Sequence, residues 1–206
     1  RDLWGFSKWM LVKNFSNYLS NQGEYLVTSK IAPMAEIGHF RWARELNALV
    51  SSELMQPIAR VATPGFAKIE HDSVRLLHVY RRSLNIIASI SAPLVLGVGA
   101  VAQEIVPLFL GGGDKWIAVI PILELLCFAA FFSCLYRLSN TYFVVIGKVK
   151  YTAYIDIARS IVSVAAVYPA YIYAGFIGVA FISIVITFMV MSSYHFLLCR
   201  CTNITF

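Results

Sequence analysis

From Ser160 to Cys199 the chain carries no Asp, Glu, Lys or Arg. As one helix at 1.5 Å per residue that run would be about 60 Å long, twice the hydrocarbon core of a bilayer. It has to fold back on itself. Pro169 and Gly175-Phe176-Ile177-Gly178 place the turn near Tyr173–Gly178. A second stretch, Leu84 to Ala102, is also free of charge. Continuous runs of this kind exclude a transmembrane β-barrel, whose strands read as roughly ten-residue alternations of apolar and polar residues.

Composition agrees. Apolar residues make up 59% and charged residues 14%, against about 45–50% and about 25% in ordinary soluble domains. One buried core cannot absorb that excess. A disordered chain, a coiled coil, a disulfide-rich secreted module and most soluble enzymes are excluded. At about 20 residues per span plus short loops, 206 residues hold about six or seven helical spans. The expected fold is all-α: a polytopic membrane bundle of about six transmembrane helices, with residues 1–206 forming a single domain. The chain begins at Arg1 and runs almost directly into a helix, so a longer parent protein is expected.

The expected spans are about Phe6–Ile31, Phe40–Phe66, Leu76–Leu110, Trp116–Ile146, and two from the long uncharged run. Pro33 and Gly38 mark a turn after the first, and Pro64-Gly65 closes the second. Pro93 with Gly97 and Gly99 predicts a kink in the third, with a short helix near Glu104–Leu110 and a turn at Gly111–Asp114. Loop charge sets orientation. Arg1, Lys8, Lys68, Arg75, Arg81, Arg82, Lys148, Lys150 and Arg200 fall on one side, outnumbering Lys30, Arg41, Arg44 and Lys115 on the other. Both ends of the chain are therefore expected on the cytoplasmic side of the membrane. Trp4, Trp9, Trp42, Trp116, Tyr151, Tyr154, Tyr171 and Tyr173 lie near span ends, as interfacial aromatics do.

The net charge of +6 is explained by those loops. No Lys/Arg run exceeds Arg81-Arg82, so no nucleic-acid partner is expected. Cys127, Cys134, Cys199 and Cys201 form no CxxC pair and read as small apolar residues. His39, His71, His78 and His195 form no HExxH, and Gly111–Gly113 lacks the Gly-Lys-Ser/Thr of a phosphate-binding loop. No GxSxG occurs. No catalytic residue, metal or cofactor is expected.

The informative residues are charges at apparent membrane depth: Lys13, Arg60, Arg137 and Arg159, with Glu24, Glu53, Glu124 and Asp156. Each costs about 2.5–3.5 kcal/mol at a helix centre. They must pair or face water inside the bundle. Asp156 and Arg159 are three apart, the spacing of a local ion pair. Glu53 and Arg60, seven apart, could line one groove. In the first helix Lys13, Asn17, Ser20, Asn21, Glu24 and Thr28 recur at steps of three and four on one face. That stripe exceeds what interhelical hydrogen bonds require and favours a wet cavity. A basic lining implies an anionic substrate, such as a pyrophosphate head or an acidic sugar. The candidate substrate contacts are Lys13, Arg60, Arg137, Asn17 and Asn21. Glu24 and Asp156 are the candidates for proton or cation coupling.

Several blocks carry a resemblance. Gly5-Phe6-Ser7-Lys8-Trp9, Glu24-Tyr25-Leu26-Val27, the stretch Ile31–Leu46, Ser52-Glu53-Leu54 with Pro57-Ile58-Ala59-Arg60, Pro64-Gly65-Phe66-Ala67-Lys68, and Leu108-Phe109-Leu110-Gly111 before Lys115-Trp116 resemble the polysaccharide-transporter branch of the MOP exporter superfamily. The similarity is dense over Gly5–Trp116. It implies two lobes of about six helices around a central cavity, of which this chain would be the second. It also implies alternating-access export of undecaprenyl-pyrophosphate-linked oligosaccharide. The expected partners are thus a lipid-linked anionic oligosaccharide, the bilayer, and a first lobe of the same chain. A multidrug or murein-precursor exporter, or a membrane polysaccharide polymerase or ligase, are the alternatives. Cation-exporting drug pumps call for acidic cavities, and polymerases for large outer loops.

Overall fold

A computed structural model describes residues 2–110 and 116–202. Every regular element among them is helical: α1 (Asp2–Ile31), α2 (Met34–Ala67), α3 (Ser73–Ser91), a widened π-type turn (Ala92–Leu96), α4 (Gly97–Ala100), α5 (Ala102–Leu110), α6 (Val119–Val145) and α7 (Val149–Thr202). The fold class is the all-α membrane bundle expected from the sequence.

Local chemistry sets the boundaries. Pro33, with extended backbone, starts α2, so Gly38 lies inside the helix and the turn is shorter than the sequence suggests. Pro64 does not close α2. The helix runs on to Ala67, and the Pro64 carbonyl accepts from Lys68 N. The Asp72 carboxylate caps α3 by accepting from Arg75 N at 3.0 Å. Pro93, where the sequence predicts a kink, falls in the first turn of the π segment, and its missing donor goes with a widened turn. The turn expected at Gly111–Asp114 lies outside the described residues.

α7 is long and apolar enough for two crossings. Its backbone leaves helical geometry at Ala174 and Gly175, inside the expected window. Gly175 has φ 60° and ψ −149°, a region open in practice only to glycine. The chain reverses there into two antiparallel arms, 149–173 and 176–202. By length and composition, Ser73–Ala100, Val119–Val145 and Val149–Arg200 can cross a membrane. α1 and α2 have the length, but their polar residues keep them below the apolarity of the others.

α6 is the central post, buried on most sides from Val119 to Phe143. α2, the α3–α5 stretch and both arms of α7 pack on it, and α1 packs on α7. Two apolar cores result. One joins Phe40, Val95, Leu123 and Phe176; the other joins Leu76, Tyr80, Phe143 and Tyr194. Aromatic groups mark both ends of the bundle. Trp9 meets Tyr154 at one, and His39 and Trp42 meet Trp116 at the other, the placement of interfacial belts. Large apolar side chains such as Phe181, Val185, Phe188 and Met189 cover the outside, as suits hydrocarbon.

A candidate polar cavity between two apolar cores

The polar stripe of α1 turns inward. Lys13, Ser16, Ser20 and Thr28 are buried, while Leu11, Phe15, Tyr18 and Leu26 face out. α1 lies close along the first arm of α7. Ser160 donates to the Ser16 carbonyl, and a Cβ on Gly23 would stand 2.6 Å from Val164 Cγ2. Small residues at such contacts let helix backbones approach in a membrane.

Two sets of charges occupy this seam. In the first, Glu24 accepts from Arg44 of α2 at 2.7 Å and from the Ser163 hydroxyl of α7. In the second, Arg159 donates to the Tyr136 hydroxyl at 2.8 Å and to Asn17 Oδ1 at 3.1 Å, with its guanidinium over the Tyr136 ring. Lys13 donates to Asn140 Oδ1 at 2.6 Å. Asp156 is buried within electrostatic reach of Lys13 and Arg159. Arg159 also feels Glu24, so it joins the two sets. Lys13, Arg44, Arg137 and Arg159 outnumber Glu24 and Asp156, and the seam is cationic.

Beside the seam is a cavity of about 270 Å³. Each wall is a different helix: Ser20 and Glu24 from α1; Arg44, Asn47 and Ser51 from α2; Ser133, Tyr136 and Arg137 from α6; Arg159 and Ser163, then Ser183 and Thr187, from the two arms of α7. It lies where the two apolar cores meet, between Leu126 and Ala130 of one and Met55, Cys134 and Ile186 of the other. Asn47 Oδ1 and Arg159 Nε are sealed from outside and have no hydrogen-bond partner among the described residues. Groups of that kind are satisfied by water or by a ligand.

The sequence-derived candidates divide. Glu24 and Arg137 line the cavity. Asn17, Lys13 and Asp156 stand behind it in the hydrogen-bonded and charged seam. Arg60 and Glu53 are exposed on α2 and neither lines this cavity. The side chain of Asn21 lies outside the described residues. Asp156 and Arg159 form no ion pair within 4 Å among the described residues: the guanidinium is turned to Tyr136 and Asn17 instead. Arg44, counted from sequence as a loop charge, lies inside α2. Tyr136, Asn140 and Ser163 carried no sequence signal beyond polarity in an apolar run. Cys127 and Cys134 are buried free thiols. No group of three or more His, Cys, Asp or Glu able to hold a metal occurs among the described residues.

Residues 1–121 match the profile of the family described as polysaccharide biosynthesis protein. The chain belongs to that family. The chain is 32% identical to the lipopolysaccharide biosynthesis protein WzxC of Escherichia coli over 122 residues, which is 59% of the chain and 24% of WzxC. It is 20% identical to the teichuronic acid biosynthesis protein TuaB of Bacillus subtilis over 156 residues, 76% of the chain and 32% of TuaB. The chain thus spans about a quarter to a third of these relatives. Its fold superposes on a MOP superfamily transporter from Pyrococcus furiosus with a TM-score of 0.78 at 15% identity, covering 94% of this chain and 43% of that one. The bundle has the fold of part of such a transporter, as the sequence resemblance implied.

Proposed function

We propose that this chain is the second of two lobes in an exporter that carries a lipid-linked, anionic oligosaccharide across the bacterial inner membrane by alternating access. The cavity beside α1 carries this reading. Inside a bundle with an apolar exterior, hydroxyls, an amide, one carboxylate and three arginines (Arg44, Arg137 and Arg159) converge on one hollow. Such groups are expensive in hydrocarbon and are kept where they face water or a polar cargo. Arginine presents a planar fork that fits phosphate and carboxylate oxygens.

Arg137 and Arg44 supply the anion contacts, and Arg159, anchored by Tyr136 and Asn17, holds the cationic field in place. Lys13 and Asn21 extend the same face of α1. Glu24 and Asp156 are the proton- or cation-coupling carboxylates: each lies beside cations whose pull changes when it is neutralised. Arg60 contacts cargo only from the exposed face of α2, as part of the full-length chain. Both ends of the chain lie on the cytoplasmic side, where Lys148, Lys150 and Arg200 gather. The relatives' names support polysaccharide as the cargo class, and the excess of cations supports its negative charge.

In the full-length protein at normal expression, Arg137→Gln and Lys13→Gln should abolish or sharply reduce surface polysaccharide. Arg60→Gln should have the smaller effect. Unchanged export in the Arg137 variant contradicts the proposal.

A further inference from the structure

We propose that the seam between the two arms of α7 is a docking groove for one acyl chain of an anionic phospholipid, with its phosphate clamped by Lys150 and Arg200. Two adjoining apolar hollows, of about 570 and 290 Å³, run along this seam and share Tyr154, Ile155, Met189 and Ser193. From Val162 to Tyr151 the first arm rises about 16 Å, close to the hydrocarbon depth of a single leaflet, about half of 30 Å. The groove therefore has the length of a chain whose head sits at one membrane surface.

Its interfacial end is basic. Lys150 lies over the rings of Trp9 and Tyr154 at 5.8 and 6.0 Å, and Arg200 over Phe196 at 4.7 Å. Tyr154 and Phe196 are themselves groove walls, so each cation is held by an aromatic ring that would flank the chain. Arg159 lines the groove toward its opposite end, one turn before Val162. That residue turns its guanidinium the other way, to Tyr136 and Asn17, and leaves its methylene stem toward the groove. Arg159 and Ile186 thus stand between the apolar groove and the polar cavity. A single phosphate with a hydrocarbon tail matches this order of basic mouth, aromatic collar and apolar trough. The inference does not depend on what the protein exports.

The test uses the full-length protein in phosphatidylcholine vesicles doped with one of three tail-photoreactive probes: phosphatidylglycerol, phosphatidylcholine or a polyprenyl phosphate. The phosphatidylglycerol probe should label residues 149–173 and 176–202 several-fold above the phosphatidylcholine probe. Lys150→Gln and Arg200→Gln, both at exposed positions, should each weaken that labelling about fivefold. Ala158→Trp, which fills the trough, should remove it without lowering the melting temperature. Equal labelling by the two phospholipids, labelling indifferent to both charge removals, or no labelling at all because the rest of the full-length chain covers the seam would each overturn the proposal. Preferential labelling by the polyprenyl phosphate would overturn it in favour of a carrier-lipid site.

Discussion

Glu24 and Arg44 meet at 2.7 Å across the gap between α1 and α2, two helices that otherwise barely touch. α1 leans on α7 and α2 on α6, and this pair ties the two across the cavity that both residues line. The Glu24 side chain is 13% exposed and Arg44 38%. Breaking a fully buried pair costs about 3–5 kcal/mol, but exposure of Arg44 places this one lower, at about 1 kcal/mol. Glu24→Gln and Arg44→Gln should each lower the melting temperature in detergent by a few degrees. The charge swap Glu24→Arg with Arg44→Glu should recover most of that loss while export stays impaired, because the cationic wall is then displaced. Full recovery of export would reduce Arg44 to a strut.

Lys13 and Asp156 sit in the driest part of the seam, buried to 6% and 2% exposure. Lys13→Met leaves the Asp156 carboxylate with Arg159 alone, and Arg159 already serves Tyr136 and Asn17. No ion pair within 4 Å joins Lys13 to Asp156 among the described residues, so the single substitution should cost about 1–3 kcal/mol, from the lost Asn140 hydrogen bond and the weaker field at Asp156. The double substitution Lys13→Met with Asp156→Asn should cost markedly less, since no uncompensated charge remains. A double-mutant cycle by thermal unfolding reads the difference; additive losses would mean that the two groups do not interact.

Gly175 makes the hairpin of α7. At φ 60° and ψ −149°, Gly175→Ala places a Cβ in a conformation that costs about 1–3 kcal/mol. Gly97→Ala, at a helical glycine with open space around it, should be neutral or slightly stabilising. Similar melting temperatures for the two variants would contradict the turn geometry.

Much of this fold was legible because length arithmetic has few solutions. The uncharged run at Ser160–Cys199 had to reverse, and the only glycine-rich point in its middle is where it does so. Pro93 marked the widened turn because a proline removes a backbone donor, although Pro169 sits inside α7 without breaking it. The site was less legible. Helical spacing put Lys13, Asn17, Ser20 and Glu24 on one face, and put Glu53 and Arg60 on another, but spacing does not say which face turns inward. The first set faces the bundle and the second does not. The partners are also remote in sequence: Lys13 with Asn140, and Glu24 with Ser163. Those contacts follow from how α1 is rotated against α6 and α7, which tertiary packing decides. Local spacing misled at Asp156 and Arg159, where Tyr136 and Asn17 competed successfully for the guanidinium.

The central claim is that the hollow beside α1 is wet and attracts anions. Ser133 and Ser183 line it from α6 and from the second arm of α7. Ser133→Cys and Ser183→Cys, in a full-length protein whose native cysteines are replaced by serine, can be challenged in intact membranes with two membrane-impermeant thiol reagents of equal size, one anionic and one cationic. Both sites should react, and the anionic reagent should react several-fold faster, with the preference lost in Arg137→Gln. No reaction at either site, or a faster cationic reagent, would contradict the account.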